Sequence, residues 1–154
     1  MKKIIFLLTF VGIFCLASSS WAGLTATVAD VSTNAGKPVD VKVTFSSNSK
    51  SIGALETQLE YDPSIFQLTG VDNGATTKGF TLVFNESRPG FVEVASASAT
   101  LFKSSSGELL IFHFTARPAV KKAKYSFKSA KVTLESVTST YSATIKSKGS
   151  ITIK

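Results

Sequence analysis

The sequence predicts an all-β fold, a sandwich or jelly roll. Three observations lead there: strand-patterned runs recur along the chain, Gly, Pro and Asn punctuate them, and no segment carries the 3.6-residue period of a helix three turns long. The clearest run spans 52–61 and stops at Asp62-Pro63. Successive side chains on a strand point to opposite sides. Leu55, Thr57, Leu59 and Tyr61 therefore share one face, and Ala54, Glu56, Gln58 and Glu60 share the other. The first face is apolar enough to be buried, and the second is polar and meets solvent.

In chain order, residues 1–22 read as a secretory signal peptide. Lys2 and Lys3 precede an apolar run from Ile4 to Leu16, and Ser20-Trp21-Ala22 ends it with a small-x-small pattern, placing cleavage after Ala22. The run is 13 residues, short of the roughly 20 that span a bilayer, and no later segment is longer and apolar, so no membrane span is expected. A lipoprotein reading at Cys15 is disfavoured because Phe14 stands where a small residue is needed. What remains, 23–154, suits one domain that is secreted, extracellular or periplasmic. It holds no cysteine, so packing must supply its stability.

The expected strands are 24–28, 39–45, 52–61, 80–84, 91–97, 109–116, 125–134 and 150–154. Asn34-Ala35-Gly36-Lys37-Pro38, Asp72-Asn73-Gly74, Arg88-Pro89-Gly90 and Ser104-Ser105-Ser106-Gly107 are the expected turns between them. The period of two selects an inward set: Val41, Val43 and Phe45; Leu55, Leu59 and Tyr61; Val92 and Val94; Leu110, Phe112 and Phe114. Phenylalanines of the domain are assigned to this core, since large rings dominate sandwich interiors.

Charge is uneven. From Gly23 to Ala116 there are six Lys plus Arg against nine Asp plus Glu, whereas from Arg117 onward there are nine cations and one acid, Glu135. The basic third is either a solvated rim or an attractor for an anionic surface polymer, through Lys121, Lys122, Lys124, Lys128 and Lys131. No nucleic acid is expected, because the signal directs the chain away from it and no binding motif is present.

Catalytic and metal readings find little support. Glu56 and Glu60 lie about 13 Å apart along one strand at roughly 3.3 Å per residue, beyond the roughly 5–9.5 Å of paired glycosidase carboxylates. Glu93 is expected across from one of them on a flat, open face. His113, the one histidine, falls on an outer sheet surface without the companions a zinc site needs. Asp30, Asp62 and Asp72 lack calcium-loop spacing. No cofactor and no catalytic residue are assigned.

The segment from Ile52 to Pro63, IGALETQLEYDP, is followed by FQLTGV from Phe66, GFVEVASASAT from Gly90 and GELLIFHF from Gly107. Together these resemble the cohesin domain family over most of 23–154. The resemblance implies a nine-stranded jelly-roll sandwich and a non-enzymatic role in which a dockerin module, carrying its own calcium, docks on one flat sheet face. Carried over by position, that face offers Ala54, Glu56, Gln58 and Glu60; Glu93, Ala95 and Ala97; and Phe84, Asn85 and Glu86. The family often carries Asn or Asp at the positions of Ala54 and Glu56, and this chain is acidic at only one of them. Such a face mixes carboxylates with small residues, as suits a non-obligate interface, although alternation alone fits a merely solvated sheet equally well. Extracellular polysaccharide degradation is the implied setting. The alternative is direct carbohydrate binding, for which the domain supplies Tyr61, turned inward, and Tyr125 and Tyr141.

Overall fold

The computed structural model describes residues 23–136 and 139–154; the expected signal peptide, its cleavage at Ala22 and Cys15 lie outside them. No helix of the described residues is long and apolar enough to cross a membrane. In chain order the strands are β1 (Thr25–Val28), β2 (Asp30–Thr33), β3 (Pro38–Glu60), β4 (Phe66–Asn73), β5 (Thr81–Arg88), β6 (Phe91–Ala116), β7 (Lys124–Ser126), β8 (Ser129–Glu135), β9 (Thr140–Ser142), β10 (Thr144–Ser147) and β11 (Ser150–Ile153). One 3₁₀ turn, Ala75–Thr77, sits between β4 and β5.

Two long antiparallel ribbons, β3 and β6, organise the sandwich. The first half of β3 pairs with the second half of β6, and this pair is flanked by β1 beside β3 and β4 beside β6. The second half of β3, from Ala54 to Glu60, pairs with Phe91 to Ala97, and this pair is flanked by β8 beside β3 and β5 beside β6. Register breaks after Val43, Ser46 and Ile52 separate the halves, and bulges of this kind bend a ribbon. The second half of β3 and its neighbours thus form the first leaf, and the first half and its neighbours the second. A three-stranded sheet, β2-β11-β7, adds Ile151 and Ile153 to the same core.

Every inward residue selected from the sequence is buried, Val41, Val43, Leu59, Val92, Leu110, Phe112 and Phe114 completely. Phe114 is the hub: its ring lies 5.0 Å from Tyr61, 5.7 Å from Phe127 and 6.3 Å from Phe66. Thr57 is also inward, and its hydroxyl has no hydrogen-bond partner. Thr57→Val keeps the shape and removes the orphan polar atom. It is expected to raise stability by about 1 kcal/mol, or roughly 3–5 °C in melting temperature by calorimetry.

The strands differ from expectation in several places. Residues 66–73, absent from the expected strands, form β4, and its last two residues, Asp72 and Asn73, expected in a turn, pair with Ile111 and Leu110 of β6. The runs 39–45 and 52–61 join into β3, and 91–97 and 109–116 into β6. The run 125–134 is divided into β7 and β8, because Phe127 turns into the core between them. The run 80–84 starts one residue later and continues to Arg88, where Pro89 and Gly90, at φ 82°, make the hairpin turn. Ser104 to Gly107 form no turn but lie within β6, paired with Phe45, Ser46 and Lys50. Gly107 is needed there for a different reason: a Cβ would overlap Thr76 of the 3₁₀ turn packed against it. The short strands β2, β9 and β10 carry too few alternating residues to announce themselves.

His113 stands on the outer surface of the second leaf, as expected, but it is clamped. Its Nδ1 lies 2.7 Å from Asp40 Oδ1 and its Nε2 lies 3.0 Å from Asp72 Oδ2. The hydrogen bond to Asp40 raises its pKa above 6.5, with Asp72 adding to the shift and partial burial opposing it. A histidine raised on folding stabilises most fully below its unfolded pKa of about 6.5, and that contribution is lost as pH rises through the folded value. Urea midpoints are therefore expected to fall between pH 6 and 8, and His113→Gln should flatten that stretch of the profile. Equal slopes in both proteins would refute the clamp.

Candidate docking face

Sheet register sets the composition of the first leaf's outer surface. Residues paired across an antiparallel ladder share a face, so the registers of β5, β6, β3 and β8 generate four rows. From one end of the face they read Thr81, Ala97, Ala54, Glu135; then Val83, Ala95, Glu56, Thr133; then Asn85, Glu93, Gln58, Lys131; and last Arg88, Phe91, Glu60, Ser129. Eight of the ten expected site residues thereby come together. They are Ala54, Glu56, Gln58, Glu60, Asn85, Glu93, Ala95 and Ala97.

The other two do not. Phe84 pairs with Val94 and Glu86 with Val92, both inward residues, so Phe84 and Glu86 lie on the reverse side of β5. The carboxylate of Glu86 is structural there, accepting from the Tyr61 hydroxyl at 2.7 Å and from the Gly90 amide at 2.7 Å. Burial, together with this bond, pushes the Tyr61 phenol up to about 12. Phe84 remains 46% exposed because β5 is an edge strand that pairs only with β6. The period of two forbids Phe84, Asn85 and Glu86 from sharing one face.

Sequence reasoning missed Val83, Lys131, Arg88 and Phe91. Val83 is 63% exposed beside Ala95, and Leu101, 41% exposed, lies over Gly53 at the adjoining end. On the β5 and β6 side of the first two rows Val83, Ala95, Ala97 and Ala54 thus form an apolar corner of mostly small residues, with Glu56 and Glu135 on its far side. The last two rows are polar and knitted together. Gln58 Nε2 donates to Glu93 Oε1 at 3.1 Å, Ser129 Oγ donates to Glu60 Oε2 at 3.1 Å, and Arg88 donates to Glu60 Oε1 at 3.3 Å while its guanidinium lies 4.8 Å from the Phe91 ring centre. Glu56, exposed between Ala95 and Thr133, has no ion-pair partner among the described residues. Neighbouring strands thus hold Glu60 and Glu93 in place and leave Glu56 open to a cation.

Glu93 faces Gln58 and not Glu56 or Glu60, so no carboxylate pair is formed across strands. Among the described residues no three His, Cys, Asp or Glu side chains gather as metal ligands. The tyrosines expected for sugar stacking pack on the core: Tyr61 is buried, and Tyr125 and Tyr141 are partly buried against it. Lys131 belongs to this face, across from Gln58, and the basic third of the chain is split between surfaces accordingly.

The model of the cohesin domain family matches residues 24–153. The chain belongs to the cohesin domain family. Solved cohesins share its fold. The sixth cohesin of scaffoldin B from Acetivibrio cellulolyticus, solved in complex with a mutant Cel5 dockerin, is 20% identical with a TM-score of 0.69, covering 86% of this cohesin and 99% of that chain. CaCohA2 from Clostridium acetobutylicum is 22% identical with a TM-score of 0.61 and coverage of 86% and 92%. A non-cellulosomal cohesin from the hyperthermophilic archaeon Archaeoglobus fulgidus is 16% identical with a TM-score of 0.65, again covering 86% and 92%. A search of curated proteins returned no match.

Proposed function

We propose that this cohesin is a secreted, non-enzymatic interaction module that docks a dockerin-type partner, loaded with its own calcium, on the face built by β5, β6, β3 and β8. The setting is an extracellular assembly for polysaccharide degradation. Membership of the family supports the reading, and the single observation that carries it to these residues is that the exposed Val83 and its small neighbours stand beside Glu56, a carboxylate with no ion-pair partner among the described residues.

The arrangement suggests how docking works. Val83, Ala95, Ala97 and Ala54 let a partner approach closely and lose water, which is where association gains free energy. Glu56, at the border of that corner, steers a cationic side chain of the partner, and Glu60 and Glu93 in the polar rows help to fix orientation. The bonds from Gln58, Arg88 and Ser129 hold two of these carboxylates before the partner arrives, which reduces the ordering entropy of association. The test is capture on the immobilised protein from the source organism's extracellular and periplasmic fractions, in calcium and then in chelator. A captured protein with paired calcium loops, released by chelator, is expected. Capture indifferent to calcium would defeat the proposal.

A further inference from the structure

A second concave surface, sharing no lining residue with the four rows of the docking face, lies where the 117–123 connection meets the 62–65 turn. It is a cleft of about 620 Å³, within the roughly 300–1,000 Å³ typical of ligand sites. Its walls are mostly alkyl, from Ile65, Pro118, Ala119 and Val120, and its rim carries Arg117 and Lys121.

The walls are tied down. The Arg117 amide donates to Ile65 O at 2.9 Å, its side-chain Nε donates to Pro63 O at 2.8 Å, and the Val120 amide donates to Arg117 O at 3.3 Å. Tyr125 closes one side with its ring edge-on to Phe66 at 5.8 Å and its hydroxyl donating to Lys121 O at 2.9 Å. A preformed cleft avoids part of the ordering cost of binding.

The charge around the cleft is one-sided. Lys121 and Lys122 have no carboxylate partner among the described residues, whereas nearby Lys124 lies 3.8 Å from Asp30. Lys37 is held beside the cleft because its carbonyl accepts from the Ala116 amide and the Gly36 turn packs near Pro118. The acid next to the cleft, Asp62, is occupied by the Ser64 amide at 2.9 Å and hydroxyl at 2.6 Å.

From this combination we infer that the cleft is a second docking site, separate from the face above, for an acidic protein segment that carries an apolar anchor residue. Alkyl walls suit a leucine or phenylalanine side chain, and the unpaired cations suit carboxylates flanking it. A glycan fits less well. The one aromatic ring of the cleft is packed edge-on to Phe66, and its hydroxyl is already used within the chain.

Fluorescence anisotropy tests this with three probes: a labelled peptide with glutamates flanking Leu-Phe, the same peptide with lysines in place of the glutamates, and polygalacturonate as the glycan. The acidic peptide is expected to bind saturably and the lysine version not to bind. Lys121→Glu with Lys122→Glu should weaken acidic-peptide binding at least tenfold. Ala119→Trp, which narrows the cleft with a bulky ring and keeps every charge, should weaken it at least tenfold, while Glu56→Lys with Glu93→Lys on the other face should leave it unchanged. Equal binding of both peptides, indifference to Ala119→Trp, or tighter binding of polygalacturonate than of the acidic peptide would each overturn the inference.

Discussion

Phe114→Ala is expected to remove about 3–5 kcal/mol of folding stability, against a total of about 5–15 kcal/mol for a domain. The ring is fully buried and sits among Tyr61, Phe66, Phe112 and Phe127. These neighbours come from both leaves and from the segment between β7 and β8, so no single element can relax into the space. Cavity cost depends on such relaxation. Urea titration should show a large drop in midpoint with an unchanged slope, and Phe114→Leu should lose less than half as much. A loss below about 1 kcal/mol for the alanine variant would mean that the leaves do not share one core through this ring.

Glu56→Lys combined with Glu93→Lys should lower partner affinity at least a hundredfold, about 3 kcal/mol, while changing stability by no more than about 0.5 kcal/mol. Glu56 is exposed and lacks a cation of its own, and Glu93 is held toward the partner by Gln58. Reversal at both positions places four added units of positive charge beside Lys131 and Arg88 in the register. Titration calorimetry with the captured partner measures the loss. Stopped-flow rates at two salt concentrations should attribute part of it to slower association. An unchanged affinity would remove the carboxylates from the interface.

Much of this was legible from alternation. The period of two placed Leu55, Leu59, Val92, Val94, Phe112 and Phe114 inward and turned Glu56, Gln58 and Glu93 outward on their own strands, because burial of one sheet side leaves little freedom in register; that they share one face came from the family resemblance. The same rule corrects the resemblance at the end of β5. Phe84, Asn85 and Glu86 come to the face together only by carry-over from the family, and strand geometry sends Phe84 and Glu86 behind the sheet. Lys131 was read by its charge as part of a basic tail, whereas pairing with β3 brings it opposite Gln58. Cross-strand neighbours depend on which strands meet, and a single sequence carries no record of that. Ser104 to Gly107 show the complementary error. Serines and a glycine signal a turn locally, yet here the glycine answers to Thr76 packed against the strand.

The most direct measurement is amide hydrogen exchange of the protein alone and with its captured partner bound. Docking on the assigned face should slow exchange in the second half of β3, in β5, in the first half of β6 and in β8, with β4 and the 117–123 connection unchanged. Protection confined to the 117–123 connection, or to the outer surface around His113, would contradict the central claim.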